Sequence, residues 1–320
     1  MKTFEAGVRA LDGVTLSIPS GELVALVGPN GSGKSTLLEI LYGVIIADAG
    51  YVRVLGLDPR RERASLRTQA GYAGQETALD PEMTGYETLH LFYALRSLPH
   101  RDRDVCVAQL AEDYGIGSFC HRLVRTYSGG ERQRLHLALE VMHKPRILLL
   151  DEPTASLDPT ARLAFWSRLI AWRDGGRTAL VATHDLAEVA TYCDRVILLD
   201  RGQLLADNAP SVLIARQGRA GTTITLACKP KGNAEELVAK LRELPGKPQV
   251  AIDGGTITLW RARNPEGSEP ALDVLTSRGV SYLRVERAEP DLASVYFCLA
   301  GKGLEAPGER SRGGKRRYRR

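Results

Sequence analysis

The stretch that most constrains this chain is Gly28-Pro29-Asn30-Gly31-Ser32-Gly33-Lys34-Ser35-Thr36. It follows the apolar run Leu23-Val24-Ala25-Leu26-Val27 and precedes the helix-compatible Leu37-Leu38-Glu39-Ile40-Leu41-Tyr42. Strand, glycine-rich turn and helix in that order satisfy the phosphate-binding pattern G-x-x-x-x-G-K-[ST]. The glycines let successive backbone N–H groups curl around an anion, and the helix presents its positive end to it. In such a loop Lys34 reaches the β- and γ-phosphates, and the Ser35 hydroxyl is a ligand for Mg²⁺. A flexible loop of no function can carry two glycines, but Lys-Ser at this spacing between a strand and a helix is a far more specific signal.

Three later segments sharpen the reading. Ile147-Leu148-Leu149-Leu150 is a continuous apolar run of the kind buried in a parallel sheet, and it ends in Asp151-Glu152. Acids at the carboxyl end of such a strand stand where open α/β sheets bind ligands. Asp151 is placed to hold Mg²⁺ through water, and Glu152 to accept a proton from an attacking water. Thr178-Ala179-Leu180-Val181-Ala182-Thr183 is a second apolar strand, closed by His184 in reach of a γ-phosphate. Tyr127-Ser128-Gly129-Gly130-Glu131 opens a further helix. Alone, Ser before glycines is an ordinary N-cap.

Taken together these residues resemble the ATP-binding cassette (ABC) subunits, over roughly residues 4–207. The phosphate loop, Gln75, Ser128-Gly129-Gly130, Asp151-Glu152, Asp158 and His184 stand in the family's order at similar separations. The resemblance implies an α/β fold, a P-loop NTPase core with an inserted helical subdomain at about 76–127 and an antiparallel β-subdomain, within an ATP-binding domain spanning 1–216. It implies ATP and Mg²⁺ as cofactors and ATP hydrolysis as the activity. In the family two cassettes pair head to tail, each ATP lying between one phosphate loop and the other copy's signature. On that pattern Phe4 stacks on the nucleotide, and Gly28, Pro29, Asn30, Gly31, Ser32, Gly33, Lys34, Ser35 and Thr36 hold it. Ser35, Gln75 and Asp151 serve the metal, while Glu152, His184 and Gln75 serve catalysis. Ser128, Gly129, Gly130 and Glu131 contact ATP from the partner copy, and Asp158 links the two sites.

Three departures from the family pattern stand out. The signature reads Tyr-Ser-Gly-Gly-Glu rather than Leu-Ser-Gly-Gly-Gln, a Glu that exporters often carry and that keeps the anion-binding part. The stacking aromatic falls on Phe4, about one residue from its usual spacing. The chain starts almost at that aromatic, so the family's usual first strand does not precede it. Tyr127, Gly71-Tyr72-Ala73-Gly74-Gln75 and the closing Pro290-Asp291-Leu292-Ala293-Ser294-Val295-Tyr296-Phe297 resemble the daunorubicin-resistance branch of bacterial exporters, which pair with a separately encoded membrane permease.

Local patterning adds a strand ending at 14–18, another at 51–55, and a helical lobe from 84 to 127. In that lobe Leu89, Leu91, Phe92, Leu95, Val105, Val107, Leu110 and Tyr114 are the expected buried positions. Beyond Gly221 the order changes to strand (222–227), helix (233–244), hairpin (249–252 and 256–260), helix (269–278), strand (280–286) and a last helix (290–299). That βαββαβ order predicts a ferredoxin-like accessory domain over 221–300, read as a dimerisation or regulatory accessory.

Composition closes off other classes. No apolar run among the 320 residues nears the 18–20 or so needed to span a bilayer, and residues 1–7 lack the apolar core of a secretion signal. The expected location is cytoplasmic, peripheral on the inner face of the membrane. Five widely spaced cysteines without a C-x-x-C pair read as reduced thiols. The formal charge of +5 is a tail property: residues 307–320 hold seven Arg and Lys against one Glu, leaving the rest slightly acidic. Residues 301–320 therefore read as a basic, solvated tail. The alternative is a nucleic-acid or ribosome-associated cassette ATPase. Such proteins usually carry two cassettes or a long coiled coil, which this chain lacks, so nucleic acid is not the expected partner.

Overall fold

A computed structural model describes residues 1–4, 7–74, 79–218, 221–226, 234–244, 248–253, 256–260 and 269–300. The chain divides into two compact units, Met1–Val212 and Leu213–Arg320.

The first unit opens with a short ribbon, β1 (Lys2–Thr3) antiparallel to β2 (Arg9–Leu11). Strand β3 (Leu23–Val27), buried at every residue, leads through the glycine-rich loop into α1 (Lys34–Leu41). Then come α2 (Arg63–Arg67), β4 (Ala70–Ala73), α3 (Gly85–Leu95), α4 (Arg103–Asp113), α5 (Gly129–Val141) and β5 (Ile147–Asp151). After α6 (Pro159–Asp174) follow β6 (Thr178–Thr183), α7 (Leu186–Tyr192), β7 (Arg195–Asp200), β8 (Gln203–Asn208) and α8 (Pro210–Gln217), and the chain boundary between the units falls inside α8.

Six strands form one sheet in the order β4-β5-β6-β3-β7-β8, parallel except for the β7–β8 hairpin. The aliphatic runs of β3, β5 and β6 suit strands covered on both faces. Because β3, β5 and β6 are adjacent and parallel, the residues just past their carboxyl ends gather at one edge.

Helices α3, α4 and the start of α5 pack around Leu89, Tyr93, Val107, Phe119, Tyr127 and Leu135. This core runs into α5, beyond residue 127. Helix α3 starts at a capping box, in which Thr84 Oγ1 accepts from Glu87 N and Glu87 Oε2 accepts from Thr84 N.

Three expectations need correction. Residues 14–18 form no strand; the paired segment is β2, three residues earlier than that run, held by the ribbon and by Asp12 N donating to Gly202 O. Residues 51–55 contribute only an isolated Val54–Leu57 bridge. In the helical lobe Leu91, Leu95 and Val105 are exposed. Leu89 and Tyr93, four residues apart, set the inward face of α3 and turn Leu91 and Leu95 away from it.

The second unit comprises β9 (Gly221–Leu226), α9 (Ala234–Arg242), β10 (Gln249–Asp253), β11 (Thr256–Trp260), α10 (Glu269–Ser277), β12 (Tyr282–Ala288) and α11 (Leu292–Ala300). Its sheet runs β10-β11-β9-β12 with every neighbouring pair antiparallel, the split βαβ order. Ile224, Leu226, Ile257 and Leu259 pack with Leu237, Leu241 and Leu275 of α9 and α10. Strand β12 begins two residues later than expected. The basic 301–320 lie outside the described residues.

Candidate nucleotide site

The glycine-rich loop owes its shape to positions where a side chain has no room. A Cβ on Gly28 would run into Leu199 O. Gly33, the N-cap of α1, has φ 106°, and a Cβ there would meet Ala10 O and, at 2.8 Å, Leu11 Cδ2. No side chain caps α1, so the first-turn N–H groups are left for an anion. The contact between Gly33 and Ala10 also sets the β1–β2 ribbon, which carries Phe4, against the loop.

Lys34 is 6% exposed, and its Nζ donates to Gly28 O at 2.6 Å and Pro29 O at 3.3 Å. Burial lowers its pKa, against the pull of Glu152 and Asp151. Asp151, the last residue of β5, is 2% exposed. Burial raises its pKa, while a hydrogen bond with the Ser35 side chain opposes the shift. Asp151 Oδ1 and Ser32 Oγ are buried with no hydrogen-bond partner among the described residues. A hydroxyl and a carboxylate in contact, with one carboxylate oxygen unsatisfied, make a hard oxygen donor set of the kind Mg²⁺ takes alongside phosphate oxygens.

Glu152 has φ 50°, a strained conformation for a residue with a Cβ. Its N–H donates to Ala182 O at 2.9 Å, pinning the turn to β6. The carboxylate thereby stands between the Lys34 ammonium and the His184 ring. Oε1 lies 3.9 Å from Lys34 Nζ, and Oε2 lies 2.9 Å from His184 Nδ1, whose ring N–H donates to it. That hydrogen bond raises the His184 pKa, although partial burial works the other way. Glu152, His184 and Lys34 thus all lie past the carboxyl ends of three adjacent strands, β5, β6 and β3.

The signature residues stand elsewhere. Ser128 is the N-cap of α5, with Oγ accepting from Glu131 N and Glu131 Oε2 accepting from Ser128 N. Ser128 and Gly129 are exposed, and a Cβ on Gly129 would lie 3.2 Å from Ser156 Cβ. Among the described residues no hydrogen bond or ion pair joins Ser128–Glu131 to Lys34, Glu152 or His184. Asp158 caps α6, its Oδ1 accepting from Ala161 N at 2.9 Å. Gln75 lies outside the described residues.

Sequence reasoning missed the supports of this edge. Thr154 Oγ1 donates to Glu188 Oε2 at 3.0 Å, and Arg162 Nε lies 3.3 Å from Glu188 Oε1 and its Nη1 3.7 Å from Asp185 Oδ2. Glu188 thus ties the segment after Glu152 to the helix after His184. No local signal marks it, since its partners are distant in the chain.

The arrangement agrees with what the chain resembles. Residues 11–155 match the ABC transporter family. The chain is 36% identical over 293 residues to daunorubicin resistance ATP-binding protein DrrA3 of Streptomyces coeruleorubidus, with 92% of each covered. It is 33% identical to Nod factor export ATP-binding protein I of Rhizobium sp. (strain N33), over 92% of this chain and 93% of that one. Among solved structures, a dimeric ATP-binding cassette in a post-hydrolysis state bound to ADP and Pi aligns with a TM-score of 0.60 at 27% identity, over 65% of this chain and 94% of that one. From the strand-end geometry and these likenesses together, the chain belongs to the ABC transporter family, as an ATP-binding subunit that hydrolyses ATP.

Proposed function

We propose that this chain is the ATPase subunit of an ABC-2-type exporter, working on the inner face of the cell membrane with a separately encoded permease. Two copies pair head to tail, and each ATP, with Mg²⁺, lies between the phosphate loop of one and the Ser128-Gly129-Gly130 turn of the other. The observation that carries this reading is the separation of the two halves of the site. Glu152 contacts both Lys34 and His184, whereas among the described residues the exposed helix start at Ser128 bonds only to its own surroundings. A γ-phosphate held by Lys34 gains its remaining donors when a second copy brings that helix N-terminus to it.

In this reading Glu152 takes a proton from the attacking water, held in position by the His184 N–H. Lys34 meets the β- and γ-phosphates, and His184 orients the γ-phosphate. Ser35, Asp151 and Gln75 would hold Mg²⁺, which supplies charge neutralisation at the phosphate oxygens. Phe4 stacks on the adenine, and Asp158 and Glu131 lie at the copy–copy contact. Residues 1–216 form the ATP-binding domain, 221–300 an accessory domain and 301–320 a basic tail. Relatives named for daunorubicin resistance and Nod factor export support the outward direction.

The test is capture of the tagged chain from detergent-solubilised membranes of its own host. Co-purification of a polytopic membrane protein that raises its ATPase rate is expected. Recovery only of soluble, RNA-bound complexes would overturn the exporter assignment.

A further inference from the structure

Glu131 poses an electrostatic problem. It sits in the first turn of α5, where a carboxylate suits the helix dipole but opposes a second anion at the same N-terminus. Its two oxygens are both engaged. Oε2 accepts from Ser128 N at 2.7 Å, and Oε1 accepts from Arg122 Nη1 at 2.9 Å. Partial desolvation works against its charge, yet the Ser128 N–H and the Arg122 guanidinium outweigh that and hold its pKa below the usual range. Glu131 is therefore an anion at neutral pH, within one helical turn of the amides that the proposed function assigns to the γ-phosphate.

Arg122 is anchored for the purpose of meeting it. Its Nη2 donates to Thr126 O at 2.7 Å, and its guanidinium carbon lies 5.6 Å from the Tyr127 ring centroid. Tyr127 is in turn buried, with its hydroxyl donating to Phe119 O at 2.9 Å. The guanidinium is thus fixed to the turn that carries the signature. Its side chain is 48% exposed, so the pair adds little to fold stability. Its consequence lies in the local field.

We infer that Arg122 is the positioning residue that neutralises Glu131, so that the signature turn of this chain accepts the γ-phosphate of an ATP bound to a second copy despite carrying a carboxylate. The inference rests on the head-to-tail reading. Where that position is a neutral amide, no counter-charge is needed.

The test is a double-mutant cycle on ATP-driven dimerisation, measured by analytical ultracentrifugation in a Glu152→Gln background that retains bound ATP. Arg122→Ala is expected to weaken the ATP-bound dimer by at least about tenfold. Arg122→Lys, which keeps the charge and loses the planar fork, recovers most of that loss. With Glu131→Gln also present, Arg122→Ala changes the dimer by no more than about twofold relative to its own parent. An equal loss in both backgrounds, or no recovery with lysine, makes Arg122 a merely structural anchor and overturns the inference. If the Glu152→Gln parent pairs and Arg122→Ala pairs equally well, the role of Arg122 falls while the head-to-tail reading stands. If the parent does not pair in ATP, both fall.

Discussion

Replacing Lys34 by methionine separates nucleotide binding from folding more sharply than any other single change. The ammonium is buried, its pKa is lowered chiefly by that burial, and two of its hydrogen bonds go to carbonyls of its own loop. A cation whose folded pKa is depressed penalises the folded state at neutral pH, fully so once the pH is below the depressed value. Methionine fills a similar volume without the charge, although Glu152 loses a cation 3.9 Å away and keeps only His184. The thermal midpoint without nucleotide should therefore stay within a few degrees of the parent or rise. ATP affinity should fall, because a charge-assisted contact to phosphate contributes about 1.5–3 kcal/mol, or about 10- to 150-fold in Kd. Titration calorimetry with ATP, paired with scanning calorimetry in nucleotide-free buffer, reads both quantities. An unchanged Kd would refute the placement of the phosphates at Lys34. A collapse of the thermal midpoint would refute the claim that Lys34 serves binding at the expense of the fold.

Further outcomes follow from the same geometry. His184 has a raised folded pKa, so its bond to Glu152 stabilises fully below the ordinary value of 6.5 and fades as pH rises through the raised one. His184→Gln should accordingly lower the melting temperature more at about pH 6 than at about pH 9, and an equal or larger loss at the higher pH would contradict the pairing. Gly33→Ala should cost more stability and more ATP affinity than Gly31→Ala. Both have positive φ and so share a backbone penalty of about 1–2 kcal/mol, but only Gly33 would drive a Cβ into Ala10 O, while Gly31 has open space around it. Chemical denaturation and nucleotide titration of the two variants check the order.

What the sequence made legible was local. The phosphate loop, the acid pair after Leu150 and the histidine after Thr183 are each written in a few consecutive residues, and the apolar runs before them set which strand ends they occupy. Patterns that depend on which face of an element turns inward were less legible. Leu91 and Leu95 are as apolar as Leu89, and only the packing of α3 against α4 and α5 decides that Leu89 is inside. The strands expected at 14–18 and 51–55 join no sheet among the described residues: the first pairs with no strand, and the second makes only the isolated Val54–Leu57 bridge. Least legible were polar contacts across long separations: Thr154 with Glu188, and Arg96 Nη2 with the buried Glu140 at 2.7 Å, which also accepts from Tyr72 N. Arg122 and Glu131, nine residues apart, carry no helical or strand period that would pair them.

The central claim is that each ATP bridges two copies of this chain, and the Glu152→Gln variant tests it most directly. If Glu152 is the base we propose, removing its negative charge blocks proton transfer with little change of shape, so bound ATP persists. Size-exclusion chromatography with light scattering, run with ATP, with ADP and without nucleotide, should find a dimer in ATP alone. Adding Ser128→Arg to the same variant, which puts a bulky side chain at the place of the phosphate, should return it to a monomer. A Glu152→Gln protein that binds ATP, does not hydrolyse it, and remains monomeric would contradict the shared site.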